Sequence, residues 1–203
     1  MNRSLTALLI GLLILNTAGC QDEEEQAPLG TVAKIGNAGG INGRYIIDDL
    51  WVQTIGGGWV RFNYGAVSGY PGASADIGGM GVPAHINGTW SEGWDNEDDV
   101  YYRIDAPIDA ALAEQKIRTL LNYYQNYPVH KGSMQVIVDR NRVQVMYSLI
   151  CVSKYSDCSP KTGADPYNWV VKSPGKGVTD VVVLFDGKGE TSPTPFEPSN
   201  PYE

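Results

Sequence analysis

The stretch MQVIVDRNRVQVMYSLICV, residues 134–152, reads as two strands joined at Asp139-Arg140-Asn141. Branched and aromatic residues crowd both sides of a short polar break, which is the composition of a buried hairpin. Just upstream, Ala113, Ile117, Leu120, Leu121 and Tyr124 recur at three- and four-residue spacing. That spacing gives one apolar face and predicts a helix packed on a sheet. Pro107 suits its first turn, Asp109 places negative charge at its start, and Pro128 ends it. Downstream, VTDVVVLF (178–185) has the look of a further buried strand.

Working toward the N-terminus, RYIIDDLWV (44–52) is the first stretch of strand composition. WVRFNY (59–64) alternates Trp59, Arg61 and Asn63 against Val60, Phe62 and Tyr64, the period of a strand with two unlike faces. Residues 65–81 hold six glycines and a Tyr-Pro pair and predict a long surface loop. Strand-like residues resume near His85 and run to Trp94, and after DNEDD (95–99) VYYRID forms another candidate strand. Strands, then a helix, then strands predict an α+β fold, with a mainly antiparallel β-sheet and one principal amphipathic helix.

The N-terminus has its own pattern. Arg3 precedes an apolar run from Leu5 to Leu15, and small residues follow, the tripartite order of an export signal too short to span a membrane comfortably. Ala18-Gly19-Cys20 resembles the lipobox of bacterial lipoproteins, although Thr17 stands where leucine is commoner in that family. The resemblance implies acylation of Cys20, with Gln21 rather than aspartate after it favouring the outer membrane and a periplasmic face. The expected organisation is a lipoprotein signal peptide at 1–19, an acidic and glycine-rich tether at 20–43, one domain at 44–186 and a proline-rich tail at 187–203.

The net charge of −8 offers no basic stripe for phosphates and argues against a nucleic-acid partner. It equally disfavours peripheral attachment to anionic lipid, so the membrane is expected to be a partner through the N-terminal lipid alone. With Cys20 assigned to lipid, Cys151 and Cys158 remain in CVSKYSDC and are expected to pair outside the reducing cytoplasm. Two cysteines without a nearby histidine make a poor zinc shell.

A catalytic reading finds little to build on. Gly72-Ala73-Ser74-Ala75-Asp76 lacks the second glycine of a nucleophile elbow, and neither His85 nor His130 belongs to a paired metal-ligand spacing. The glycines from Gly36 to Gly43 precede a strand, whereas a phosphate loop follows one. DNEDD offers carboxylates without the glycine and glutamate of a calcium loop, so it reads as an acidic patch facing solvent or a partner. No enzyme activity, metal or cofactor is expected. Trp51, Trp59, Trp90 and Trp94 either fill the core or, with Tyr70, anchor an interface.

Several features together resemble a known group. The lipobox, the YIIDDLWV strand with glycine-rich turns after it, GGMGVP, WSEGW and the short cysteine pair are similar to small proteobacterial lipoproteins of unknown function encoded beside type VI secretion lipase effectors. Members are thought to be periplasmic immunity proteins. The resemblance implies a tethered binder whose partner is a secreted lipase toxin; a structural envelope lipoprotein is the alternative. The candidate contact residues are Tyr70 in the glycine-rich loop and Asp95, Glu97, Asp98 and Asp99 in the acidic run.

Overall fold

The computed structural model describes residues 27–62, 66–69, 78–93, 99–126, 132–152, 154, 157–172, 179–198 and 201–202. Strand β1 (Ala33–Thr54) is followed by β2 (Trp59–Phe62), β3 (Ala66–Gly69), β4 (Gly79–Met80), β5 (Pro83–Glu92) and β6 (Val100–Pro107). Helix α1 (Ala110–Leu121) leads into β7 (Tyr124–Asn126), β8 (Gly132–Asp139), β9 (Arg142–Ile150) and β10 (Asp157–Pro160). The last strands are β11 (Val170–Lys172), β12 (Thr179–Lys188) and β13 (Glu190–Ser192). All but β7 and β10 join one curled, mixed sheet, ordered β11-β12-β9-β8-β1-β5-β6-β13, with β2, β3 and β4 along the other edge of β1.

The long first strand serves two half-sheets. Residues 33–40 run parallel to β8, while residues 45–54 run antiparallel to β5. Between them the pairing with β3 shifts register and Asn42 takes a left-handed φ of 61°. The bend wraps a buried ring: a Cβ on Gly40 would lie 2.5 Å from Tyr45 Cδ2, so only glycine lets the backbone pass there. The Tyr45 hydroxyl donates to Asp139 Oδ1 at 3.4 Å and accepts from the Arg140 N–H at 2.9 Å. Asn42 Nδ2 reaches the other Asp139 oxygen at 3.2 Å. The tip of the β8–β9 hairpin is therefore fastened to the bend of β1.

Closure on the far side uses β12 and β13. The first pairs with β9 and the second with β6, so one stretch of chain borders both half-sheets, interrupted only at Gly189. The Gly189 N–H donates to the Asn141 carbonyl at 2.7 Å. A Cβ there would sit 2.4 Å from the Arg103 carbonyl oxygen and 2.9 Å from the Trp90 ring. Within this curl Trp90, Tyr45, Tyr147 and Phe62 are fully buried and belong to one continuous core.

The helix lies against β12, β9 and β5 and buries Ala113, Ile117 and Leu120. Asp109 caps it by accepting the Leu112 N–H at 3.0 Å. Lys116 Nζ donates to the Val183 carbonyl at 2.7 Å, pinning the helix to β12. Cys151, at the end of β9, is disulfide-bonded to Cys158 in β10, with Cα atoms 5.8 Å apart. β10 pairs in turn with β7.

Five expectations are corrected. The sheet is mixed, because β8 returns parallel to β1 after the crossover that carries α1. Residues 33–43, expected in the tether, are strand, since backbone pairing to β8 and the Tyr45 ring compensate for the weak strand preference of glycine. Residues 27–29 of that tether dock on α1, where the Ala27 carbonyl accepts from Arg118 Nη2 at 2.6 Å and the Leu29 N–H donates to Glu114 Oε1 at 3.3 Å. The segment 65–81, expected to be all loop, contributes β3 and β4, both borne by an edge of β1 that needs only backbone partners. The helix ends at Leu121 because Asn122 folds its N–H and its side chain back onto the Arg118 carbonyl, freeing Tyr124 to enter β7 and bond the buried Asp180 carboxylate. The domain also runs past residue 186: β12 reaches Lys188 and β13 pairs at the edge.

Candidate functional site

Side chains alternate across a sheet, so β1 sends Leu50 and Val52 into the core and turns Asp49, Trp51 and Gln53 outward. Register carries the outward set across the neighbouring strands. Trp51 stands opposite Arg61 on one side and Asn87 on the other, and Asn87 stands opposite Asp105. One row along, Asp49, Thr89, Arg103 and Glu190 face one another in turn, and beyond Trp51 the row is Trp59, Gln53 and His85. Directly opposed side chains in antiparallel pairs are nearest neighbours, so these rows form one polar and aromatic surface.

Specific contacts hold that surface in place. Arg61 Nε donates to Asp49 Oδ1 at 2.9 Å, and its guanidinium carbon lies 5.3 Å from the Trp51 ring centroid. Arg103 Nη2 donates to Glu190 Oε2 at 2.7 Å. His85 Nε2 and Asp105 Oδ1 are 2.5 Å apart, and the Trp59 ring meets the His85 ring edge-on at 6.0 Å. The His85 hydrogen bond holds the Asp105 carboxyl below the usual carboxylate range; partial burial opposes this and Asn87 reinforces it.

The proline-rich segment after β13 lies over the same surface. The Ser192 hydroxyl donates to the Thr194 carbonyl at 2.7 Å and accepts the Thr194 N–H at 3.0 Å, turning the chain back from the sheet edge. The Phe196 ring then sits 4.7 Å from the Arg103 guanidinium carbon, and Tyr202 meets Trp51 edge-on at 5.7 Å. Pro198 divides two grooves. One, of about 550 Å³, is lined by Asn87, Arg103, Asp105, Lys188 and Glu197 among others. The other, of about 500 Å³, is lined by Asp49, Arg61, Tyr101 and Phe196 among others. Trp51 Nε1 and Asn87 Oδ1 are buried and without a hydrogen-bond partner.

Of the residues expected from sequence, Cys20, Tyr70, Asp95, Glu97 and Asp98 lie outside the described residues, as do Ser74, His130 and Trp94. Asp99 is described and half-buried, just before β6, with its carboxylate against Gly93. It lies two residues from Tyr101, which lines the second groove. The tryptophans divide between the two readings: Trp90 is core, whereas Trp51 and Trp59 belong to the outward surface. His85 proves to be paired with Asp105 across β5 and β6. Sequence reasoning missed Trp51, Arg61, Asn87 and Arg103 as a group because they meet only through the register of four strands. The alternation of WVRFNY marked Trp59 and Arg61 as one face, whereas Phe196 and Tyr202 lay in a stretch read only as a proline-rich tail.

Among the described residues no hydroxyl or thiol is hydrogen-bonded to His85, and no group of three or more His, Cys, Asp or Glu side chains is gathered to hold a metal ion. No described helix is long and apolar enough to cross a membrane. Fixed charges of both signs beside half-buried rings suit recognition of a polar, partly aromatic ligand. A scan against family models finds no match to this chain, and comparisons with curated proteins and with solved structures find none either.

Proposed function

We propose that this chain is a lipid-anchored envelope binding protein, specifically an immunity protein that inhibits a type VI secreted phospholipase toxin by occlusion. The observation that carries the binding reading is the outward surface of β1, β5 and β6, where Trp51, Arg61, Arg103 and the His85–Asp105 pair are fixed by mutual contacts on a rigid sheet. Aromatic and arginine side chains held in this way supply much of the energy of protein interfaces. The partner class comes from the resemblance of the sequence to lipoproteins encoded beside lipase effectors. Acylation at Cys20 would hold the inhibitor at the membrane that such a lipase attacks, and the acidic charge would steer a basic partner toward it. Tyr70 and the run from Asp95 to Asp99 are the proposed contact.

The test is protection in cells. The product of the gene neighbouring this one is expressed in the periplasm with the intact chain, with a Cys20→Ser form and without either. The proposal expects the intact chain to restore growth and the Cys20→Ser form to leave the membrane fraction. Unchanged killing in the presence of the intact chain would move the reading to a structural envelope lipoprotein without a toxin partner.

A further inference from the structure

The outward surface already carries an occupant, and its fit is incomplete. Residues 193–198 and 201–202 cross from the β13 edge toward β1, setting Phe196 on Arg103 and Tyr202 on Trp51. Prolines at 193, 195, 198 and 201 keep such a segment extended and lower its ordering cost. Aromatic-lined grooves that accept proline-rich segments use this economy. Beneath it lie a donor and an acceptor with nothing to bond: Trp51 Nε1 and Asn87 Oδ1, on residues directly opposed across β1 and β5. An N–H donor beside a carbonyl acceptor is the complement of one peptide group. Left unpaired, each carries a desolvation penalty that a better-placed peptide would remove.

We propose that this surface is a docking groove for an extended, proline-spaced peptide segment bearing an aromatic residue on a partner protein, and that residues 193–198 and 201–202 are its displaceable resident. The partner's aromatic ring takes the place of Phe196 on Arg103, and one of its peptide groups bonds Trp51 Nε1 and Asn87 Oδ1. Lys188 and Arg103 beside the first groove suit an acidic residue next to the ring, as Glu197 follows Phe196 in the resident. The inference rests on reading the chain as a binding protein and does not require the partner to be a phospholipase.

The probe is the resident sequence itself, a labelled peptide PTPFEPSNPYE, added in trans to the intact chain and to a chain ending at Ser192. Fluorescence anisotropy is expected to show binding to the shortened chain, and binding about tenfold or more weaker to the intact chain, whose own segment competes at high effective concentration. Phe196→Ala in the peptide is expected to weaken binding to the shortened chain roughly two- to five-fold. Arg103→Ala in the protein should do the same, with no further loss when the two changes are combined. Should the shortened chain not fold, an intact Phe196→Ala/Tyr202→Ala chain gives the same readout, because its loosened resident must admit the peptide. Failure of both forms to bind the peptide would overturn the proposal. So would binding of the N-acetylglucosamine trimer, which offers the same amide chemistry, without binding of the peptide. An intact chain that is dimeric and becomes monomeric on truncation would also overturn it, by showing the segment to be exchanged between copies. None of these outcomes depends on protection against a lipase.

Discussion

Trp90 donates its indole N–H to the carbonyl of Arg140 at 2.7 Å, so a fully buried ring of β5 holds the turn of the β8–β9 hairpin. The same residue's N–H is bonded to the Tyr45 hydroxyl, and its φ of 53° is left-handed. The two half-sheets are thus joined through one residue, Arg140, whose backbone N–H and carbonyl are each held by a buried aromatic side chain. Trp90→Phe keeps most of the apolar volume but leaves that carbonyl unpaired, which costs about 1–3 kcal/mol. Urea denaturation should show this loss. Combined with Tyr45→Phe, which frees the backbone N–H of the same residue, the two effects should depart from additivity.

Gly189→Ala tests the closure between β12 and β13. Its Cβ would lie 2.4 Å from the Arg103 carbonyl oxygen, against rigid backbone, so the change should destabilise by about 1–3 kcal/mol or more. Gly30→Ala is the control, having nothing within 4 Å of the added atom. Thermal midpoints of the two variants should separate clearly.

The Cys151–Cys158 bond ties the end of β9 to the small β7–β10 sheet. Closing so short a loop is worth about 2–3 kcal/mol on the chain-entropy account. Replacing both cysteines by serine should lower stability by about that amount. Non-reducing peptide mapping of the native chain should recover the two cysteines in one linked fragment.

Acid should weaken the hold of β9 on β12. The Asp186 carboxyl is held below its ordinary value of 3.8, first by hydrogen bonding from Arg142, with Gln144 assisting against partial burial. A carboxyl whose folded value is depressed stabilises the fold above its unfolded value and loses that contribution as pH falls through the folded one. The window therefore lies below about pH 4. Both partners are substantially exposed, so the contribution stays within about 1 kcal/mol. Asp186→Asn should cost stability at pH 7, and the difference from the native chain should shrink as the pH is taken below 4.

What the sequence reveals here is local. The β8–β9 hairpin, the Asp109 helix start and the disulfide each rest on residues within a few positions of one another, and each is found. The first half of β1 was hidden because glycine and asparagine carry no strand preference. Its partner β8 also lies about a hundred residues away, beyond any local pattern. The candidate surface was hidden for the same reason. Trp51, Arg61, Asn87 and Arg103 come from four strands and become neighbours only through register, while Phe196 and Tyr202 reach them from a segment whose prolines read as a simple tail.

The central claim is that this chain binds and occludes a secreted phospholipase. The most direct measurement is the phospholipase activity of the neighbouring gene's product on phospholipid vesicles, titrated with the purified domain. The account predicts that activity falls linearly to a background level and breaks at a fixed stoichiometric ratio, as expected of tight occlusion. Full activity at a large excess of the domain would contradict it.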